Sequence, residues 1–180
     1  MLHAISSGES LSSYPMSPEE VHNKRILISP LNWGMGHVSR CIPLIDRLLS
    51  QHNEVIIAGD EWQLAVFKQY FPTLEMVLHE GYPFRFGEKG NFALDLAARF
   101  FALNKRLKQE LVETEKLVER YRVDLVISDH RYGFRSNKVP SLLLCHQINL
   151  PVRKLEGWVQ RIHHNFLRQF TTIWVPDFAD

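Results

Sequence analysis

The sequence predicts an α/β protein with a doubly wound, mainly parallel sheet and helices on both of its faces. Six short apolar runs, rich in β-branched residues, alternate with segments of helical periodicity along the 180 residues. The runs are nearly continuous, which is typical of strands that are buried on both faces of a parallel sheet. The order β-α-β-α-β-α-β-β-α-β then requires right-handed crossovers that cover both faces with helices.

Four of the apolar runs give strong strand signals, and two give weaker ones. "EVIIAG" and "DLVIS" are examples of the strong runs, and the weaker ones are "SLLLC" and "TIWV". The predicted strands are 25–29, 54–59, 74–78, 124–128, 141–145 and 172–175.

The segments between these strands carry apolar residues at helical spacing. Asp60 is a suitable N-cap for the second helix, which ends before Pro72. The third helix is long, and the charged residues on its other faces form a solvated surface with i,i+4 pairs. The predicted helices are 38–50, 61–71, a long one with an apolar stripe from Leu103 to Tyr121, and one over about 154–170.

One Rossmann-like domain is predicted over 24–180, without internal repeats. Residues 1–23 are rich in serine and lack a secretory signal, so they are predicted to be a disordered tail. Met16 is a candidate for the native start. The long irregular segment 79–91 is expected to be functional or mobile.

The composition argues against several classes of protein. The net charge is +1, so no global field attracts nucleic acid. Cys41 and Cys145 form no CxxC pair, which argues against a disulfide framework or a zinc site and favours a reducing compartment. No apolar run approaches the roughly 18 residues of a spanning helix. The predicted location is therefore cytoplasmic, with no metal ion.

The most informative stretch is "PLNWGMGHVSR" at 30–40, between the first predicted strand and the first predicted helix. Ligands of a doubly wound sheet bind beyond the carboxyl ends of its strands. Gly34 and Gly36 allow the backbone to approach a ligand closely. The following helix N-terminus favours anions. The stretch therefore predicts a ligand-facing turn that suits a phosphate or another anion.

A nicotinamide-binding site is one interpretation of this turn. Gly34-x-Gly36-x-x-Ser39 is a degenerate GxGxxG, and Asp60 lies near the place of a ribose-binding acid. Ser39 replaces the third glycine, and His37 puts a bulky titratable group at the phosphate turn. A nicotinamide-dependent reductase is thus kept as an alternative prediction.

Proton transfer is the other interpretation of the turn. A histidine that faces a cleft can accept a proton from a hydroxyl near neutral pH, and a carboxylate can fix its tautomer. Asp129 directly follows the fourth predicted strand, which can lie beside the first. The residues alone leave open whether His37 and Asp129 form a catalytic pair or merely a helix cap and a turn.

Three parts of the sequence resemble glycosyltransferases of the GT-B fold. "RILISPLNWGMGHVSRCIPLIDRLL" resembles their first strand, Gly-x-Gly-His loop and helix. "DLVISDHRYGFRSNKVPSLLLCHQ" resembles their acceptor-loop segment, and "TIWVPD" the strand before their second domain. The likeness is closest to the family 28-like group that contains the bacterial lipid-linked N-acetylglucosaminyltransferase of peptidoglycan synthesis. It covers about 25–178 and implies a single N-terminal, acceptor-side half of a GT-B fold.

The resemblance implies roles for individual residues. His37 matches the histidine that is proposed as general base in many members of the family. Asp129 resembles the acid that supports this histidine in some related sugar transferases. Arg40 could face a phosphate from the first helical turn. The substrate-binding residues that the resemblance implies are Asn32, Gly34, Gly36, Arg40, His130, Arg131 and Tyr132.

The resemblance also implies a partner. GT-B enzymes have a second domain that binds the nucleotide sugar. Here that sugar would be a UDP-linked substrate, and no cofactor would be needed. The chain stops at Asp180, just after the strand that should lead to that domain. Alone it is expected to be a poor or inactive enzyme, because sugar transfer needs the donor diphosphate held in place. It is then a fragment, a subunit of a split transferase, or a non-catalytic anchoring subunit.

Two segments, 84–106 and 152–170, mix aromatic and basic residues. Such helices can lie at an anionic membrane surface, which would suit a lipid-linked rather than a free sugar acceptor. An apolar stripe at helical spacing can equally face the protein's own core. Peripheral contact with the inner membrane face therefore stays open, whereas nucleic acid is not an expected partner.

Overall fold

The structure is a computed structural model, and it describes residues 2–6, 16–82, 92–145 and 157–176. Most of the predicted irregular segment 79–91 lies outside the described residues. The described strands are β1 (Leu2–Ser6), β2 (Arg25–Pro30), β3 (Glu54–Gly59), β4 (Glu75–Leu78), β5 (Leu125–Asp129), β6 (Ser141–Leu144) and β7 (Thr172–Pro176). The described helices are α1 (Met35–Ser50), α2 (Glu61–Tyr70), α3 (Phe92–Tyr121), α4 (Gly157–Leu167) and a 3-10 turn (Pro18–Glu20).

The described strands form one seven-stranded sheet in the order β1-β7-β6-β5-β2-β3-β4. Strands β2 to β7 are parallel, and β1 lies antiparallel at one edge. The chain moves outward from β2 to β4, crosses back to β5, and moves outward again to β7. The order therefore reverses between β2 and β5, and such a switch point is where open α/β sheets bind ligands. The predicted doubly wound, mainly parallel fold is confirmed.

Helices cover both faces of the sheet. In β2, Ile26 and Ile28 pack on the side of α1 and α2, whereas Leu27 packs on the side of α3. All three side chains are fully buried. Successive side chains of a strand point to opposite faces, so a strand between two helical layers must be apolar at every position. This requirement explains the continuous apolar runs of the sequence.

The structure differs from the predicted disordered tail over 1–23 in the parts that it describes. Leu2–Ser6 form β1, which pairs with β7 and covers an otherwise open edge of the sheet. The residues just before β2 also pack on the domain, since Val21 is fully buried. Nε1 of Trp174 donates to the Met16 carbonyl at 2.7 Å. Backbone pairing with β7 thus gives Leu2–Ser6 a regular structure that the sequence did not predict.

Helix α1 begins at Met35, earlier than the predicted residue 38. Gly36 and His37 therefore lie in the first helical turn rather than in a loop. Gly34 is the N-cap, with φ 157° and ψ 172°, a combination that is almost restricted to glycine. The glycine is thus required by the backbone turn itself.

The aromatic residues of α4 and of the turn after it mostly face the core. The ring of Phe166 stacks on Tyr132 with centroids 5.6 Å apart, and Phe170 is buried. Trp158 stays 40% exposed at the start of the helix. Within the described ranges, none of the helices has the length and apolar character needed to cross a membrane.

Candidate functional site

Two distant parts of the sequence meet at the switch point. Strands β2 and β5 pair so that Pro30, at the end of β2, lies opposite Asp129, at the end of β5. Helix α1 starts shortly after Pro30, so its first turn reaches the end of β5. Nδ1 of His37 lies 3.0 Å from Oδ2 of Asp129. The structure therefore brings together the two residues predicted to be catalytic.

Asp129 also binds Arg40, which lies one turn after His37 on α1. Nε of Arg40 donates to Oδ2 at 2.8 Å, and its Nη2 lies 2.6 Å from Oδ1. The contact from Nε is a charge-assisted hydrogen bond, and the contact from Nη2 adds a close ion pair to the other oxygen. The same Nη2 contacts Nδ1 of His37. Arg40 was predicted to face a phosphate, but its guanidinium is engaged by Asp129.

The Asp129 carboxylate is a buried charge. Its side chain is 0% exposed, whereas that of His37 is 18% exposed. A buried charge requires pairing, which Arg40 and His37 supply. Sγ of Cys41 lies 3.9 Å from Oδ2, and burial, followed by the charge of Asp129, raises the pKa of the Cys41 thiol well above its usual value. The thiol stays protonated, and His37 is the group of this cluster that a ligand can reach as a base.

His130, the next residue after Asp129, has a left-handed backbone with φ 56°. A residue other than glycine stays in this strained region only when its surroundings hold it there. Its backbone N–H donates to the Leu144 carbonyl at 3.2 Å, which ties the turn to β6. Its ring lies edge-on to that of His37, with centroids 5.5 Å apart. The turn thus places a second imidazole beside His37.

Asn32, in the loop between β2 and α1, binds another loop of the protein. Its Oδ1 accepts from the Tyr82 N–H at 3.3 Å, and its Nδ2 donates to the Tyr82 carbonyl at 3.4 Å. A Cβ at Gly81 would lie 2.2 Å from Cγ of Asn32, so a larger residue there would displace the Asn32 side chain. A Cβ at Gly34 or Gly36 would meet no described heavy atom within 4 Å. The part of the chain that the structure describes thus leaves space in front of these two glycines.

An open pocket of about 460 Å³ adjoins this loop, beyond the ends of β3 and β4. Its size is in the range of small-molecule sites. Trp62 is 38% exposed there. The lining residues that the structure describes are polar, acidic or aromatic with one leucine and one glycine, and no basic residue is among them: Asn32, Asp60, Glu61, Trp62, Leu78, Glu80, Gly81 and Tyr82. Sequence reasoning missed the pocket, although "DEW" directly after the second predicted strand was a usable signal.

Arg131 was predicted to bind substrate, but the structure places it in the core. Its side chain is 0% exposed, and its Nε donates to Oε1 of Glu110 at 2.7 Å. Glu110 lies on α3, is equally buried, and accepts from the Tyr82 hydroxyl at 2.8 Å. Arg131 also donates to Oγ of Ser29 and to Nδ1 of His79, both at 2.8 Å. Its role here is to join α3 and the loops, since it could not reach a ligand without leaving this network.

Tyr132 is likewise used for packing. Besides its stacking on Phe166, its hydroxyl lies 3.3 Å from Nδ1 of His163 on α4. Burial raises the pKa of Tyr132. Of the predicted substrate-binding side chains, Arg40 and His130 surround His37, whereas Arg131 and Tyr132 pack away from it.

His79 should make the stability of the protein depend on pH. Burial, followed by the charge of Arg131, lowers the pKa of His79 from 6.5 to about 3. Above pH 6.5 the ring is neutral in the folded and the unfolded protein, and its contact with Arg131 contributes fully to the free energy of unfolding. Between pH 6.5 and about 3 only the unfolded chain binds the proton. The free energy of unfolding should therefore fall by up to about 1.4 kcal/mol per pH unit as the pH is lowered through this window.

The variant His79→Asn tests this expectation, because its amide oxygen can replace Nδ1 as the acceptor for Arg131 without binding a proton. Urea unfolding across the window should show a shallower loss of stability in His79→Asn than in the wild type. His52→Asn, which changes an exposed histidine, is the control and should keep the wild-type slope. Equal slopes for His79→Asn and wild type would contradict the assignment.

The local contacts do not favour a nicotinamide site. Asp60 caps α2, and its Oδ1 accepts from the Gly81 N–H at 2.6 Å. Gln63 completes the cap by accepting from the Asp60 N–H at 3.0 Å. The carboxylate that was predicted to bind a ribose therefore holds two segments together. For metal ions, the part of the chain that the structure describes gathers no group of three or more His, Cys, Asp and Glu side chains.

Comparison with known proteins supports a glycosyltransferase-like chain, although no family model matches it. An uncharacterized glycosyltransferase of Methanosarcina acetivorans is 27% identical over 175 residues, which cover 86% of this chain and 42% of that protein. The solved structure of SsfS6, a glycosyltransferase of Streptomyces sp. SF2575, matches 87% of this chain and 48% of its own, with a TM-score of 0.51 and 17% identity. The spinosyn forosaminyltransferase SpnP matches 76% of this chain and 33% of its own with 19% identity, but its TM-score of 0.46 is too low to carry an argument.

The chain thus spans about half the length of the relatives that it matches. At 17% identity, the similarity to SsfS6 indicates only the fold. The curated relative adds a likeness in sequence over most of this chain. The chain is therefore glycosyltransferase-like in sequence, with the α/β fold of a GT-B glycosyltransferase domain.

Proposed function

We propose that the chain is the acceptor-side half of a glycosyltransferase that moves a sugar from a nucleotide-sugar donor to an acceptor hydroxyl. The observation that carries the proposal is the contact between His37 and the buried Asp129 at the switch point of the sheet. His37 is partly exposed and would act as the general base. Asp129 would hold its ring in place.

In this reaction, Nε2 of His37 takes the proton of the acceptor hydroxyl as the acceptor oxygen bonds to the anomeric carbon of the donor sugar. The bond from that carbon to the diphosphate oxygen breaks, and the nucleoside diphosphate leaves with the electron pair. The Asp129 carboxylate, 3.0 Å from Nδ1, stabilises the imidazolium that forms. General bases of this kind contribute roughly 10²- to 10⁴-fold to a rate.

The pocket beside the β2–α1 loop is the proposed acceptor subsite. Trp62 offers an apolar ring face, and Glu61 and Glu80 offer carboxylate oxygens to hydroxyl groups. The described lining residues include three acidic side chains, Asp60, Glu61 and Glu80, so a neutral ring with hydroxyl groups should be favoured over an anionic one. Asn32 lines the pocket and belongs to the loop that leads to His37.

The donor is proposed to be a UDP-linked sugar that a second domain or subunit binds. The shares of 42% and 48% that this chain covers of its relatives support the need for such a partner. Membership of the lipid-linked N-acetylglucosaminyltransferase group is the finer proposal. A lipid-linked acceptor would bring the protein to the inner membrane face, where the exposed Trp158 is the proposed point of contact.

The test is sugar transfer by the protein as its cell makes it. A tagged copy is expressed from its own locus and purified with any domain or subunit that accompanies it. It is assayed with radiolabelled UDP-sugars and with soluble and lipid-linked acceptors. We expect a product that depends on both donor and acceptor. Stabilisation by NADH but not by UDP-sugars, together with no transfer, would overturn the proposal in favour of a reductase.

A further inference from the structure

Nδ1 of His37 contacts one hydrogen-bond acceptor and one hydrogen-bond donor. Oδ2 of Asp129, 3.0 Å away, can only accept a hydrogen bond. Nη2 of Arg40 contacts the same nitrogen and can only donate one. A neutral imidazole carries a single proton, on Nδ1 or on Nε2. Nδ1 therefore cannot accept a hydrogen bond from Arg40 and donate one to Asp129 at the same time. If Nδ1 accepts from Arg40, the proton is on Nε2, whereas if Nδ1 donates to Asp129, the lone pair is on Nε2.

The contacts favour Arg40 as the partner of Nδ1. The guanidinium already faces both oxygens of Asp129, with Nε at 2.8 Å from Oδ2 and Nη2 at 2.6 Å from Oδ1. A carboxylate whose charge is neutralised in this way attracts an Nδ1–H less strongly. Among the described residues nearby, His130 presents its ring edge-on to that of His37, and the Cys41 thiol lies against Asp129.

We propose that Arg40 is a positioning residue that sets the tautomer of His37. With the guanidinium against Nδ1, Nε2 carries the proton and cannot accept another from an acceptor hydroxyl. With the guanidinium withdrawn, Nδ1–H donates to Asp129 and the lone pair lies on Nε2. The base is inactive until Arg40 leaves the ring. This consequence rests on the proposed function, whereas the tautomer is a property of the chain itself.

The tautomer can be read from ¹⁵N NMR of the chain labelled at its histidine side chains. The chain has nine histidines, so the His37 signals are assigned by their loss in His37→Gln. At alkaline pH the wild-type ring should be protonated on Nε2. Arg40→Met keeps an apolar stem and removes the donors. It should shift the tautomer ratio toward protonated Nδ1 by roughly tenfold or more, as expected for one charge-assisted hydrogen bond.

A second variant covers the case in which Arg40→Met does not fold. Arg40→Lys keeps a cation near Asp129 but lacks the planar fork that holds both oxygens and Nδ1 together. It should shift the ratio in the same direction by a smaller factor. Arg47→Met is the matched control, because Arg47 lies on the same helix and pairs with Glu19 on the surface. Its His37 signals should stay as in the wild type.

The two proposals can fail separately. An unchanged His37 tautomer in folded Arg40→Met, or in folded Arg40→Lys if the former does not fold, would overturn the role of Arg40. A tautomer shift in a protein that transfers no sugar would overturn the proposed function and leave the role of Arg40 in place.

Discussion

Replacing Glu110 by alanine should lower the free energy of unfolding by about 3 to 5 kcal/mol, because Arg131 would keep a buried charge without its counter-charge. Neither side chain of the pair is exposed to solvent. The Tyr82 hydroxyl would lose its acceptor as well. At roughly 2–4 °C per kcal/mol for a chain of this size, the melting temperature should fall by about 10 °C. Urea and thermal unfolding followed by circular dichroism measure both quantities.

A double variant separates the unpaired charge from the lost volume. Glu110→Leu with Arg131→Met replaces the pair by apolar side chains, a change that is often neutral or stabilising. It should therefore be more stable than Glu110→Ala. Glu119 lies on the same helix as Glu110 and forms an exposed ion pair with Lys138. Glu119→Ala should leave stability almost unchanged. If the double variant were as unstable as Glu110→Ala, the unpaired charge would not be the cause.

Replacing His37 by alanine should lower the turnover of the complete enzyme by roughly 10²- to 10⁴-fold. The protein should stay folded, because His37 is partly exposed and Asp129 keeps its ion pair with Arg40. The loss should appear in kcat rather than in KM, because a general base acts in the transition state. Initial rates at several donor and acceptor concentrations separate the two constants.

His52→Asn is the matched control for this loss. His52 is exposed beyond the other end of α1, and its backbone is left-handed with φ 61°, which asparagine tolerates. Its turnover should equal that of the wild type. Near-normal turnover in folded His37→Ala would remove the general base from the mechanism, whatever the fate of the glycosyltransferase proposal.

The parallel sheet could be predicted because its signals are local. Burial on both faces makes a central strand a continuous apolar run, and β3 has the bounds, 54–59, that the sequence predicts. The start of α1 was less accurate, since the two glycines of "GMG" are poor helix formers and concealed its first turn. The edge strand β1 was missed altogether. Its partner β7 lies at the far end of the chain, and the pairing is made by backbone groups that any sequence carries.

The candidate site, like the fold, could be predicted from the sequence only in part. His37 could be named from its place in the turn after the first predicted strand, and Asp129 from its place directly after the fourth. Their contact required β2 and β5 to be neighbours, which the sequence only allowed. Arg40 is close to His37 in the sequence, and Arg131 is close to Asp129. Both arginines were predicted to bind substrate. Helical spacing puts Arg40 beside His37 on α1, whereas Glu110 of α3 holds Arg131 in the core.

The sequence by itself determined the layers of the fold, the glycine turn after the first parallel strand and the polar residues that stand at the strand ends. These features depend on the spacing of residues along the chain. Only the tertiary structure decided that Arg40 pairs with Asp129 and that Arg131 belongs to the core. Ion pairs of this kind depend on strand order and on burial, which long-range packing creates.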